Sequence, residues 1–290
     1  MEWNFKTIII TVLIVEICIS ACEIDTEISY ELRNDFSPRL FVEGYVSNID
    51  GVKVFVKQSL PPIRTDSIIP QPEGVKIKFF QNNNFLFMLN KSDEDGIYVS
   101  PENFKAIQGV AYHIEVEARN LPMVKSSAVF LPDLPMVDTV FLTGIVYPSY
   151  LEAQFCDNKT QTNYYSLWYY VYASDKKEEE YLNTSSNFYP QLGTIFDDGT
   201  INGVCTTIQK QVNIRYLTKD NKITYADSIR IVFYSISEDF YKYLKSISYW
   251  DFSHNDMWQK YPATVYSNID GGYGLFSTFS GKQFHIPISK

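Results

Sequence analysis

The residues best suited to covalent chemistry lie near the start of the chain, at Ile19-Ser20-Ala21-Cys22. Small residues directly before a cysteine, after an apolar run, are typical of the cleavage site of a bacterial lipoprotein signal. The apolar run covers residues 8–19, and Lys6 supplies a weak positive charge before it. In such a site Cys22 receives a diacylglycerol and a further acyl chain, which together hold a soluble domain on a membrane. The sequence therefore predicts a signal peptide at 1–21 and lipid attachment at Cys22.

Two other interpretations of this segment stay open. Residues 8–19 could form a transmembrane helix, but spanning takes about 20 apolar residues and Glu16 interrupts the run. The segment could also be an ordinary secretory signal that leaves Cys22 unmodified. Membrane attachment that depends on Cys22 would distinguish lipidation from these two alternatives.

The remaining cysteines suggest an oxidised pair. The chain has 4 cysteines, of which Cys18 lies in the predicted signal and Cys22 is the lipid site, so Cys156 and Cys205 remain. An exported pair can oxidise, and closing a loop of about 50 residues would stabilise the fold by roughly 4 kcal/mol. Two free, partly buried thiols are the equal alternative, because spacing alone does not show that the two residues approach.

Other sequence-readable chemistry is sparse. The three histidines, His113, His254 and His285, are too far apart for a zinc signature. Asp93-Glu94-Asp95-Gly96 with Glu102 resembles a calcium loop, but Lys91 stands where the first carboxylate belongs, which favours a tight turn. A G-x-S-x-G elbow, a P-loop and a clean G-x-G-x-x-G are missing from the sequence after the signal. We therefore expect a protein that is not an enzyme and needs no metal or cofactor.

Composition favours an exported β protein. The 290 residues carry 34 acidic and 25 basic side chains, a net charge of −9, which argues against binding nucleic acid or anionic lipid through charge. The 22 tyrosines and 20 phenylalanines favour β-sheet.

The first half of the chain has the pattern of a sandwich. Residues 22–37 are polar and acidic and predict a flexible tether between lipid and fold. Short β-rich runs separated by turn residues follow at Leu40–Ser47, Val52–Ser59, Val75–Gln81, Phe85–Asn90, Tyr112–Ala118 and Lys125–Phe130. They predict an immunoglobulin-like β-sandwich over 38–132.

A proline-rich stretch, Leu131-Pro132-Asp133-Leu134-Pro135, predicts a domain junction. A second, larger β-rich domain with one or two short helices is expected over 133–290, so the fold class is mainly β. Its best helix start is at Ser237. The glycines of 271–274 predict a flexible turn before a last strand near Phe284–Ile288.

Aromatic residues are the other candidate signal. Tyr164, Tyr165, Trp168, Tyr169, Tyr170 and Tyr172 crowd one predicted strand, where some must be core and others could contact a sugar or a partner. In the stretch 261–279, Tyr273 and Phe276 are candidate partner contacts. Alternatively they close the second core together with Tyr266 and Phe279.

Several short motifs together resemble a known family. They are Cys22-Glu23, residues 41–48 (FVEGYVSN), Gly96-Ile97-Tyr98, Gly109–Tyr112, Pro135–Asp138, residues 265–269 (VYSNI) and residues 272–276 (GYGLF). In this order they resemble the Bacteroidota lipoproteins of the domain of unknown function 4249 family, across nearly the whole chain after the signal. The resemblance implies an outer-membrane lipoprotein often encoded beside a TonB-dependent transporter, and it brings no catalytic residues.

The expected function is that of an accessory or ligand-capturing subunit of a TonB-dependent β-barrel nutrient transporter. The protein would be held in the cell outer membrane by acylated Cys22 and would face outward, because Glu23, Asp25 and Glu27 resemble the acidic start that marks surface export. A free-standing adhesin or carbohydrate-binding lipoprotein is the alternative, and a degradative enzyme is a third.

Overall fold

The computed structural model describes residues 36–60, 71–144, 148–172, 195–217, 223–255 and 264–288. The strands are β1 (Leu40–Ser47), β2 (Gly51–Gln58), β3 (Lys76–Gln81), β4 (Asn84–Met88), β5 (Asn90–Lys91), β6 (Ile97–Val99), β7 (Ala111–Ala118), β8 (Leu121–Ser126), β9 (Val129–Phe130), β10 (Met136–Thr143), β11 (Ser149–Cys156), β12 (Tyr164–Tyr172), β13 (Ile195–Asp197), β14 (Cys205–Val212), β15 (Arg215–Leu217), β16 (Ile223–Tyr225), β17 (Ser228–Ile236), β18 (Ile269–Asp270) and β19 (Tyr273–Pro287). The helix in these ranges is α1 (Glu238–Asn255). The mainly β fold class is confirmed.

One eight-stranded sheet runs through the fold in the order β13-β12-β17-β19-β1-β2-β6-β5. Its centre is the 15-residue strand β19. The first half of β19 pairs in parallel with β1, from Phe41 opposite Tyr273 to Ser47 opposite Phe279. Its second half pairs antiparallel with β17. A strand from the end of the chain therefore joins the first strand to the later ones.

Two smaller sheets pack on one face of this large sheet. The six-stranded sheet, β18-β8-β7-β3-β4 with β9 beside β7, encloses the first core, and the three-stranded sheet β10-β11-β14 encloses the second. Residues that are paired across two strands point to the same side of a sheet. The register therefore places the residues that the large sheet contributes to the first and second cores on one face. The two sandwiches thus lie side by side on a common sheet.

The opposite face of the large sheet is covered by α1. Ser237 precedes the helix, and the acidic Glu238 and Asp239 lie in its first turn, where they favour the positive end of the helix dipole. The buried apolar residues between helix and sheet form a third cluster: Tyr45, Trp168, Val232, Tyr234, Ile236, Phe240, Tyr241, Tyr243, Leu244, Leu275 and Phe279. The helix start predicted at Ser237 is confirmed. No helix in the described ranges combines the length and apolarity needed to cross a membrane.

The structure differs from the expected division into domains at 38–132 and 133–290. Residues 38–290 form one compact unit. The first core takes most of its residues from before Pro132, but Ile269 and Phe276 complete it. The physical reason is the shared sheet: β1 has β19 as its neighbour on one side, so the first sandwich is closed only by the end of the chain. The proline-rich stretch connects two cores of one unit.

Candidate functional site

Most of the predicted lipoprotein segment lies outside the described residues. This applies to Cys22, to the signal at 1–21 and to the tether apart from its last two residues. Lipidation therefore remains a prediction. The chain joins the described fold at Leu40, the first residue of β1.

Cys156 and Cys205 form a disulfide bond, so the prediction of an oxidised pair is confirmed over that of two free thiols. They are direct partners at the end of the β11–β14 pair, with Cα atoms 3.9 Å apart. β14 is a strand that the sequence pattern missed. The bond fixes β14 to β11 at the rim of the second core.

The residues proposed for partner contact separate into two kinds. Tyr273 is 49% exposed and lies on the surface. Phe276 is fully buried in the first core, where its ring meets that of Phe79 edge-on at 6.4 Å. Phe279 is also buried, against Phe240 and Tyr45. The expectation of a contact role for Phe276 is therefore wrong, because alternate residues of β19 point into opposite cores; only Tyr273 stays available.

The aromatic strand, now β12, also contributes mainly to the cores. Tyr165 and Trp168 are buried on opposite faces, and Tyr169 is partly buried against the second core. Tyr164 and Tyr170 pack beside the third cluster. Tyr170 and Tyr172 are partly buried on the α1 face of the sheet. The core interpretation accounts for most of this strand, and Tyr170 and Tyr172 both interact with Arg230 of the neighbouring strand.

The predicted tight turn at Asp95-Gly96 is confirmed, with a φ of 77° at Gly96. In the described part of the chain, no group of three or more His, Cys, Asp or Glu side chains is placed to hold a metal ion. His113 of β7 is only 3% exposed and stacks on Phe80 with ring centroids 4.5 Å apart. Burial lowers the pKa of His113.

Two buried carboxylates close loops around the second core. Asp157 accepts hydrogen bonds from the Tyr165 hydroxyl at 2.6 Å and from the Gly203 backbone N–H at 2.8 Å. Asp198 accepts one from the Asn163 backbone N–H at 2.8 Å. Each accepts a hydrogen bond from the backbone of a neighbouring loop, so these buried carboxylates have a structural role.

Three phenol–carboxylate hydrogen bonds hold α1 and its flanking segment in place. Tyr241 donates to Asp197 at 2.5 Å, Tyr266 donates to Asp239 at 2.6 Å, and Tyr243 donates to Glu43 of β1. Hydrogen bonds to charged acceptors are roughly twice as strong as neutral ones. The arrangement is that of a structural interface, since each bond joins the helix region to its neighbours.

Glu43 gives this interface a pH dependence. Burial raises the pKa of Glu43 above 4.5, although the hydrogen bond from Tyr243 opposes the shift. A raised carboxyl pKa means that the folded state binds more protons, so stability is lost as pH rises from the ordinary value through the folded one. We expect Glu43→Gln to gain stability relative to wild type across that window. Urea unfolding at a series of pH values measures the difference.

A second variant provides the control. Tyr243→Phe removes the hydrogen bond that lowers the Glu43 pKa. The pH range over which the fold loses stability should therefore extend to higher pH in this variant. If the unfolding free energies of wild type and Glu43→Gln changed in parallel with pH, Glu43 would not be the source of the pH dependence.

The motif near the end of the chain, residues 265–276, joins β19 to α1 through hydrogen bonds. The Asn268 side chain donates to the Phe276 carbonyl at 2.8 Å and accepts from the Phe276 N–H at 2.8 Å, as a neighbouring strand would. The same amide donates to Asp239 at 2.9 Å. Gly274, with a φ of 113°, lies against β1, where a Cβ would be 2.0 Å from the Val42 carbonyl oxygen. This motif is therefore structural.

The 41–48 motif has the same character. A Cβ on Gly44 would lie 3.1 Å from the Phe276 ring and 2.9 Å from Val54. The Asn48 side chain pairs with both backbone groups of Gly281, at 2.7 and 3.0 Å. The two most specific motifs therefore meet along the β1–β19 pair.

The most distinctive surface is a group of exposed apolar side chains beside the proline-rich stretch, which we call the junction patch. Its members, with exposed fractions, are Ile107 (55%), Phe130 (65%), Leu134 (49%) and Met136 (51%). Large apolar side chains gathered on a surface mark sites of interaction with proteins or lipids.

Hydrogen bonds bring the two segments of the patch together. The Gly109 N–H donates to the Leu131 carbonyl at 3.0 Å, and the Gln108 amide donates to Asp133 at 2.6 Å. The loop carrying Ile107 therefore runs beside the connector. Sequence reasoning used the connector only as a boundary; the signal it missed was the set of large apolar residues flanking the two prolines.

The patch lies far from the point where the chain joins the fold. Thr278 donates to the Phe130 carbonyl at 2.6 Å, and Thr278 is paired with Val46 near the end of β1. The chain joins at Leu40, at the other end of that strand. At about 3.3 Å per residue the separation is on the order of 20 Å.

Comparison with known proteins identifies the family of the chain. No curated protein matches the chain. The sequence pattern of one family, described as Domain of unknown function (DUF4249), matches residues 25–284. The match covers almost all of the compact unit as well as part of the preceding segment, and the chain therefore belongs to the DUF4249 family.

Proposed function

We propose that the protein is a lipid-anchored outer-membrane lipoprotein that serves as an accessory, ligand-capturing subunit of a TonB-dependent β-barrel transporter. The junction patch is the surface that contacts the transporter. The observation that carries the proposal is the exposure of Ile107, Phe130, Leu134 and Met136 in two segments that hydrogen bonds hold side by side. The Cys22 motif supports attachment to a membrane, and the family resemblance supports a TonB-dependent transporter as the partner.

The distance between patch and anchor supports a protein partner over the lipid surface. The patch lies at the end of β1 away from Leu40, where the tether joins. The stretch 23–37 spans on the order of 50 Å at full extension, which confines the unit near membrane proteins while leaving the patch free to turn to a neighbour. Such confinement raises the effective concentration of a partner to the millimolar range, so a modest interface stays occupied.

The test is copurification of a large β-barrel with tagged full-length protein after mild crosslinking. We expect the double variant Phe130→Ser and Met136→Ser to reduce recovery of the barrel at least tenfold. The matched control is Val204→Ser with Ile223→Ser, which changes apolar residues that are 53% and 68% exposed elsewhere on the unit. The control should keep the barrel, and both variants should keep the wild-type melting temperature.

The anchor is tested in the same material. Cys22→Ala should release the protein from the membrane fraction and reduce barrel recovery, because tethering is lost. A Cys22→Ala protein that stays with membranes would contradict lipidation. Equal recovery from the patch and control variants would reject the junction patch as the contact.

A further inference from the structure

A second surface lies on the α1 face of the large sheet, where three neighbouring strands bring polar side chains into one row. Tyr170 of β12 is paired with Arg230 of β17, and Arg230 is paired with His285 of β19. Directly paired residues share a face and lie about 5 Å apart. The row is accessible, since the Arg230 side chain is 25% exposed and His285 is exposed.

The turn after β1 places a carboxylate beside this row. Asn48 fixes the turn to Gly281 of β19, and the turn then carries Asp50 toward Arg230. The Asp50 carboxylate lies 3.9 Å from the Arg230 guanidinium and 3.4 Å from the Tyr234 hydroxyl. Both separations are longer than a good hydrogen bond, so much of the accepting capacity of Asp50 is left over.

Arg230 also keeps donor capacity. Its guanidinium stacks over the Tyr170 ring at 4.8 Å and is hydrogen-bonded to Tyr172. Its Nε–H is buried and meets no acceptor in the described part of the chain. This buried N–H is out of reach of a surface ligand. The guanidinium has four further N–H groups, more than its contacts with Tyr172 and Asp50 use, and the side chain is 25% exposed, so donors remain at the surface for a polar ligand.

The chemistry of the row identifies the ligand class. Asp50 accepts hydrogen bonds, Arg230 and His285 donate them, and the partly exposed ring of Tyr172, beside the Tyr170–Arg230 stack, offers a flat apolar surface. Closely spaced donors and acceptors next to an aromatic face match the hydroxyls and the apolar face of a sugar ring. The net charge of −9 disfavours an anionic ligand.

We infer that Asp50, Arg230 and His285, with the Tyr172 ring beside them, form a binding site for a neutral saccharide. The site gives the ligand-capturing role of the proposed function a substrate class. It lies on a different face from the junction patch, so the two surfaces can be occupied together.

The experiment is isothermal titration of full-length protein in lauryldimethylamine oxide, a detergent without a sugar headgroup. The probes are maltohexaose, cellohexaose, xylohexaose and mannohexaose, with galacturonic acid as the anionic comparison. We expect at least one neutral oligosaccharide to bind, and Arg230→Gln and Asp50→Asn each to weaken that binding at least tenfold. Arg119→Gln changes an exposed arginine paired with Glu73 elsewhere and should change affinity less than twofold.

His285→Ala protects the test against misfolding, since the residue is exposed; it should weaken binding at least threefold with an unchanged melting temperature. Failure of all four oligosaccharides to bind would overturn the inference, as would binding that these variants leave unchanged. Binding of galacturonic acid alone would overturn the neutral class. Because titration uses the protein without a transporter, this failure is distinct from loss of copurification, which tests the proposed function.

Discussion

Gly274→Ala should abolish most of the stability of the fold, with a loss of more than about 4 kcal/mol. The residue has a φ of 113°, and an added Cβ would lie 2.0 Å from the Val42 carbonyl oxygen and 2.8 Å from the Val42 carbonyl carbon. These are backbone atoms of the paired strand, so no side-chain rotation relieves the overlap. Relief requires β1 and β19 to separate at the centre of the large sheet. Urea unfolding followed by the fluorescence of buried Trp168 measures the loss.

Gly109→Ala is the matched control. Gly109 also has a positive φ, 71°, but a Cβ there meets nothing within 4 Å. Only the backbone strain remains, which costs about 1–2 kcal/mol. If the free energies of unfolding of the two variants lie within about 1 kcal/mol of each other, the close approach of β19 to β1 does not determine the stability of the fold.

The same pair of strands shows where sequence reasoning succeeded and where it failed. The predicted strand Leu40–Ser47 is β1, because its flanking turns mark its ends clearly. β19 was predicted as a flexible glycine turn followed by a short strand near Phe284–Ile288. It begins at Tyr273, and its residues 274–281 are all buried, so the polar-apolar alternation that marks a half-buried strand is missing. The glycines permit close packing against β1 as well as the turn at Gly271.

Candidate sites were harder to predict than strands. The disulfide partners followed from counting cysteines, but their approach depends on the pairing of β11 with β14. The row of Tyr170, Arg230 and His285 depends on the register of three strands distant in sequence. Sequence spacing carries no information about such a register. The Phe276 error has the same origin, since the face that a residue occupies in a doubly covered strand is set by its neighbours.

The last prediction concerns residues 38–132 expressed alone. We expect a product that unfolds without a cooperative transition and binds hydrophobic dyes, because its core is incomplete. Ile269 and Phe276 are missing from the first core, and burial of each such side chain contributes about 1.5–3 kcal/mol. β1 also loses its parallel neighbour along the whole stretch from Phe41 to Ser47. A domain with a total stability of about 5–15 kcal/mol does not retain a unique structure after both losses.

The repair of this fragment isolates the cause. Joining residues 264–280 to the end of 38–132 through a glycine–serine linker returns β18 and the first half of β19, without β17 or α1. If the missing strand is the cause, the joined chain should regain a cooperative urea transition, and the same chain with Gly274→Ala should not. Cooperative unfolding of the unaided fragment would show that the first sandwich folds without β19, and would restore a division of the chain into two independent domains.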